Sequence, residues 1–209
     1  MNPKLAVLWI DAHCDLNTER TSPSGNMHGM PLSFMVRGID PKYGNSTALT
    51  RLFKDVKLFL DHQSLSYLGL RDIDPGEKII LDSLGIKYYT MDDIDRLGIR
   101  EATRQALDAI NPDRDRPLHV SFDVDSLDPM YAPSTGTPVP GGLTLNEALS
   151  IGEMICETNL LRCLDIVEVN PKIGTDSEVQ KTITSSMSII TSFLGKCRTD
   201  HPERLLISL

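Results

Sequence analysis

Residues 5–10 read Leu-Ala-Val-Leu-Trp-Ile, an unbroken apolar run closed by Asp11. A strand with one wet face alternates apolar and polar side chains. A run without alternation fits a strand covered on both faces. Segments Leu65–Arg71, Ile86–Met91, Leu118–Asp125 and Cys163–Val169 share this character. Between them lie helical patterns over Pro31–Arg37, Gly76–Leu84, Asp92–Ile110, Leu145–Glu157 and Ser177–Leu194. Such alternation predicts βαβ units in an α/β fold, a doubly wound, mostly parallel sheet with helices on both faces. A buried first strand is expected at the sheet's centre, so the chain reads as beginning in the middle of a domain.

Local signals support these elements. Thr144-x-x-Glu147 and Thr175-x-x-Glu178 have capping-box spacing ahead of helical patterns. Val179, Ile183, Met187, Ile190 and Leu194 repeat at helical spacing, with Gly195 at a C-terminal cap position. The 209 residues fit a single domain spanning 1–209. A net charge of −8, with no basic run, argues against nucleic acid as a partner. No apolar run has transmembrane length, so no membrane partner is expected. Cys14, Cys156, Cys163 and Cys197 show no Cys-x-x-Cys pairing. A reduced, cytoplasmic protein is the better reading, with a mitochondrial form not excluded.

Function points to two acidic clusters, Asp11-Ala12-His13-Cys14-Asp15 and Asp123-Val124-Asp125. Each follows an apolar strand candidate, where side chains two apart share a face. Asp11, His13 and Asp15 are expected to converge, and so are Asp123 and Asp125. Four carboxylates aimed together repel unless cations neutralise them, and a hard divalent metal fits that need. Ligands in doubly wound sheets lie beyond the carboxyl ends of strands, where both clusters fall. The loop-rich segments 18–29 and 128–142 directly follow the clusters and are placed to wall a site.

These residues carry a family resemblance. Asp11-Ala12-His13-x-Asp15-x-Asn17, Ser24-Gly25-Asn26-Met27-His28-Gly29 and Ser121-Phe122-Asp123-Val124-Asp125 resemble the ureohydrolase signatures. Gly69 to Glu77, Ile94 to Gly98, Thr135-Gly136-Thr137-Pro138 and Leu164 to Pro171 are similar to arginase segments in particular. The resemblance covers essentially the whole chain. Arginases also carry an N-terminal portion with a Gly-Gly-Asp-His segment whose histidine is a metal ligand, and no such segment occurs in this sequence.

The resemblance implies manganese-dependent hydrolysis of L-arginine to L-ornithine and urea by metal-activated hydroxide. Asp11, His13, Asp15, Asp123 and Asp125 would hold two Mn²⁺ ions, with Asp11 and Asp123 bridging. Without the histidine, the position served by Asp11, Asp15 and Asp123 is expected to be impaired. The position served by His13, Asp11, Asp123 and Asp125 is expected to be nearly intact. His28 would move protons near the leaving amine, a role suited to imidazole. Glu168 reads as a buried carboxylate that would hold the guanidinium, a planar bidentate partner. Thr137 would line the site, and His13 would also face substrate. Asn17, Ser22 and Ser24 resemble residues at the α-carboxylate end of arginine, and Asn26 is expected to bind substrate. Asp74, with Glu77 behind it, resembles the partner of the α-amino group. Taken singly, Asn17 and Ser24 are ordinary turn residues, and Glu77 suits a helix N-terminus. Asp95 and Arg198 match positions that help hold a homotrimer, although a solvated charge explains each as well. His62, His119 and His201 belong to no motif. Two alternatives remain: a non-catalytic short form acting through subunit or partner association, and an agmatinase or other ureohydrolase.

Overall fold

The computed structural model describes residues 5–40 and 60–196. Five strands form one parallel sheet: β1 (Ala6–Ile10), β2 (Leu65–Leu70), β3 (Lys87–Thr90), β4 (Leu118–Asp123) and β5 (Leu161–Val167). Their order is β3-β2-β1-β4-β5. The chain starts at the centre, steps outward to β3, then returns to β4 on the other flank of β1. Connections after β1 and after β4 therefore leave in opposite directions. The crevice this opens at their carboxyl ends is where doubly wound sheets bind ligands.

The central strands β1, β2 and β4 are largely buried on both faces because each face meets its own core. Leu8, Ile10, Val120 and Phe122 pack in one cluster with Ala106, Ile151, Ile189 and Phe193. The helices on this side are α2 (Met91–Leu97), α3 (Ile99–Ile110), α4 (Leu145–Thr158) and α5 (Asp176–Phe193), while α1 (Pro75–Leu84) covers the other face. There Val7, Leu65, Tyr67 and Leu70 meet Ile80 and Leu81 of α1, with Cys14 and Leu16. At the β5 flank Leu164 and Ile166 pack toward the first cluster, whereas Cys163 and Asp165 stay exposed.

Both capping boxes expected at Thr144 and Thr175 are present. Two more, Asp74 with Glu77 and Thr90 with Asp93, start α1 and α2. Three expectations change. The helix expected over Asp92–Ile110 is two helices, broken where Gly98 takes φ 80° and ψ 146°. That conformation suits glycine alone and stops helical hydrogen bonding. The helix expected over Pro31–Arg37 is a single 3₁₀ turn, Pro31–Phe34. Finally, β4 ends at Asp123, and Asp125 belongs to a 3₁₀ turn, Val124–Ser126.

Candidate active site

The two acidic clusters converge through turns rather than by strand alternation. β1 ends at Ile10, and Asp11 Oδ1 accepts from the His13 backbone N–H at 2.7 Å. β4 ends at Asp123, whose Oδ1 accepts from the Asp125 backbone N–H at 2.8 Å. Each is an aspartate folding the chain onto its own side chain two residues on. Parallel pairing of β1 with β4 sets the two turns side by side. His13 Nδ1 then lies 3.4 Å from Asp11 Oδ1 and 3.2 Å from Asp125 Oδ2. The turns are also bonded together, since Asp125 Oδ1 accepts from the Ala12 N–H at 3.4 Å.

A cleft of about 360 Å³ opens over this floor. Its walls bring together nearly all the residues expected from the sequence. They include His13, Asp15, Asp123 and Asp125, the loop residues Asn17, Ser22, Ser24, Asn26 and His28, and Asp74, Glu77, Thr137 and Glu168. Asp11 lies beneath them, only 1% exposed. Asn17 Nδ2 donates to Asp74 Oδ2 at 2.8 Å, tying the loop after β1 to the start of α1. Glu77 is engaged with backbone. Its Oε1 accepts from the N–H groups of Leu16 and Asn17, and its Oε2 from that of Asp74. Thr137 Oγ1 donates to Asp125 Oδ2 at 3.0 Å.

Glu168 departs from expectation. It follows the end of β5, takes φ 63°, and is exposed rather than buried. No lysine or arginine among the described residues pairs with it. Asp15 likewise sits in the left-handed region, at φ 52°. Asp95 is exposed on α2, away from the cleft, and Arg198 lies outside the described residues.

The floor favours a cation. Burial, reinforced by the Asp11 charge, pushes the Asp15 carboxyl up to about 8. Burial, with Asp11 and Asp125 nearby, pushes Asp123 up to about 10. Burial also lifts Asp11, to about 6. The same burial pulls His13 down, but hydrogen bonds to Asp11 and Asp125 overcome it and raise the imidazole to about 11. Burial opposes ionisation of Asp125, yet its bond to His13 holds it below the usual range. In chemical terms the site is short of positive charge. Ligand atoms of Asp11, His13 and Asp125 lie within 4.8 Å of one another, and carboxylate with imidazole is a donor set for Mn²⁺-class ions. The residues present therefore fit a divalent metal.

The Arginase family model matches residues 1–195. The chain belongs to the arginase family. It is 46% identical over 199 residues to "Arginase, hepatic" of Aquarana catesbeiana, covering 95% of this chain and 60% of that protein. "Arginase-2, mitochondrial" of Rattus norvegicus is 46% identical over 198 residues, covering 94% of this chain and 55% of its own length. The solved arginase of Entamoeba histolytica in complex with L-ornithine superposes with a TM-score of 0.79 at 33% identity, covering 93% of this chain and 61% of that one. The chain thus spans well under two thirds of these arginases. Among the described residues no helix is long and apolar enough to cross a membrane.

Two parts of this arginase-family site escaped sequence reasoning. Asp72 lines the cleft, 3.8 Å from His13 Nε2. Arg71 lies behind the floor and donates to the carbonyls of Asp125 (2.6 Å), Ser126, Leu127, Gly69 and Val139. It clamps the turn that carries Asp125. The only signal in the sequence is a charge closing an apolar strand candidate, which does not reveal partners 54 to 68 residues away.

Proposed function

We propose that this chain hydrolyses the guanidino group of L-arginine, giving L-ornithine and urea, with a manganese pair held by Asp11, His13, Asp15, Asp123 and Asp125. The observation that carries this reading is the convergence of Asp11, His13 and Asp125 on the floor of a cleft whose wall includes Glu168. Bound manganese would neutralise the buried carboxylates and acidify a water toward neutral pH, supplying the nucleophile. Glu168 receives the guanidinium, and its exposure leaves the carboxylate free for that partner. Thr137 holds Asp125 in place. His28, exposed on the loop wall, delivers a proton to the departing ornithine nitrogen as the C–N bond breaks.

At the other end Asn17, Ser22, Ser24 and Asn26 offer hydrogen-bonding groups to an α-carboxylate, and Asp74 accepts from an α-ammonium. Glu77 contributes by fixing the Leu16–Asn17 backbone. Agmatine lacks the carboxylate, so these groups would be left unpaired with it. A homotrimer and a cytoplasmic location belong to the same proposal, as does a single domain over 1–209.

The test is urea release by the purified, monodisperse chain after Mn²⁺ incubation, with L-arginine and agmatine compared. Turnover of arginine, abolished by Glu168→Gln, supports the reading. Turnover of agmatine alone would make the chain an agmatinase. No turnover by folded chain would leave the non-catalytic short form.

A further inference from the structure

On the sheet face away from the first core, β4 and β5 present His119, Cys163 and Asp165. His119 pairs with Cys163 in the β4–β5 register. Asp165 stands two residues along β5 and so shares the face of Cys163. His119 Nε2 lies 2.8 Å from Asp165 Oδ2, and Cys163 Sγ lies 3.9 Å from Asp165 Oδ1. One ligand atom from each of the three falls within 4.8 Å of the others. Cys163 and Asp165 are exposed and His119 half-buried, so an ion has an open approach.

This group differs from the cleft in place and chemistry. His119 and Asp123 stand four positions apart on β4, roughly 13 Å at strand rise. The cleft floor offers oxygen and one imidazole. The β4–β5 face adds a sulfur, the donor that draws borderline-soft ions away from hard ones. We propose that His119, Cys163 and Asp165 form a second divalent-cation site of the zinc class on the open β4–β5 face, with a water completing four-coordination. Tetrahedral zinc with three protein ligands of this kind keeps its fourth position for water. Two neighbouring strands hold the ligands, and small side-chain rotations move the three atoms onto one ion. Cys163 binds as thiolate, so uptake releases the thiol proton to solvent and affinity rises with pH.

Co²⁺ is the probe, because thiolate ligation gives a near-ultraviolet sulfur-to-metal charge-transfer band that carboxylate and imidazole ligands do not. The reduced 209-residue chain would be titrated with Co²⁺ alone, then with Zn²⁺ to displace it. A saturable band of one equivalent is expected, removed by Zn²⁺ and absent in Cys163→Ser. His119→Gln should weaken it by more than the roughly 10–100-fold that an outer-shell change alone produces. Cys163→Ser, exposed and far from the cleft, should leave Mn²⁺ binding unchanged, which separates this site from the catalytic reading. Absence of the band in folded chain at Co²⁺ saturation, or its persistence in Cys163→Ser, would overturn the proposal.

Discussion

Arg71 shows how one side chain can hold a site from behind its floor. Its guanidinium meets five backbone carbonyls, from β2, from the turn after β4 and from the loop at Val139, and that fork geometry is beyond an ammonium. Arg71→Met should destabilise the fold by about 2–3 kcal/mol, since charged hydrogen bonds are lost and carbonyls left unmet. Arg71→Lys should recover only part of this. Urea-denaturation midpoints decide, and a Met variant as stable as the parent would contradict the clamp. The buried aspartates set a pH dependence at the same scale. Asp15 near 8 and Asp123 near 10 stand far above the ~3.9 of an unfolded aspartate. The folded metal-free chain keeps protons that the unfolded chain has released, so stability falls as pH climbs from about 4 toward those values. His13, raised to about 11, adds loss of the same sign from about 6.5 upward. Asp125, held low, acts in the opposite sense only below about pH 4. Metal-free thermal midpoints should therefore drop between about pH 5 and pH 9, and a rise would refute the argument.

At the scale of elements, α4 and α5 meet at Gly152. A Cβ there would stand 2.0 Å from Ser192 Oγ and 3.0 Å from the Phe193 backbone nitrogen. Gly152→Ala should cost about 1–3 kcal/mol by overpacking, and Ser192→Ala should relieve part of that cost. Equal melting of Gly152→Ala and parent would mean the helices separate freely. Legibility in the sequence followed range. The strands β1, β2 and β4 were legible because burial on both faces leaves largely apolar runs, β3 and β5 by their apolar residues despite an exposed face, and the caps at Thr144 and Thr175 because they involve residues three apart. The Gly98 break was not: a glycine within a helical pattern differs from alanine by only about 1 kcal/mol, and nothing local reveals its positive φ. In the site, the residues that the cleft gathers were legible by type and spacing. The means of convergence was not, because aspartate turns replace strand alternation just where the strands end. The exposure of Glu168 and the clamp of Arg71 depend on distant loops that composition does not encode.

For the whole molecule, the sheet order decides where chemistry can gather. Returning from β3 to β4 puts both aspartate turns at the one crevice where loops part. Mn²⁺ that binds there and not to the unfolded chain should raise stability by about 2.7 kcal/mol at a hundredfold excess over Kd, so the thermal midpoint should climb with Mn²⁺ concentration. A midpoint indifferent to Mn²⁺ would dismiss the metal reading. The two positions should also differ. His13, Asp11, Asp123 and Asp125 make a fuller set than Asp11, Asp15 and Asp123, so calorimetric titration should resolve one tight and one weak ion. Two equal affinities would sink that inference.

Asp15 and Glu168 both stand in left-handed backbone that non-glycine residues avoid. A laboratory selection that rewards heat resistance and nothing else should drift toward glycine at 15 and 168, relieving strain of about 1 kcal/mol at each. On the proposed hydrolysis, such a population would grow hardier and go chemically silent together, and sequencing its survivors would show at which addresses durability and turnover are set against each other.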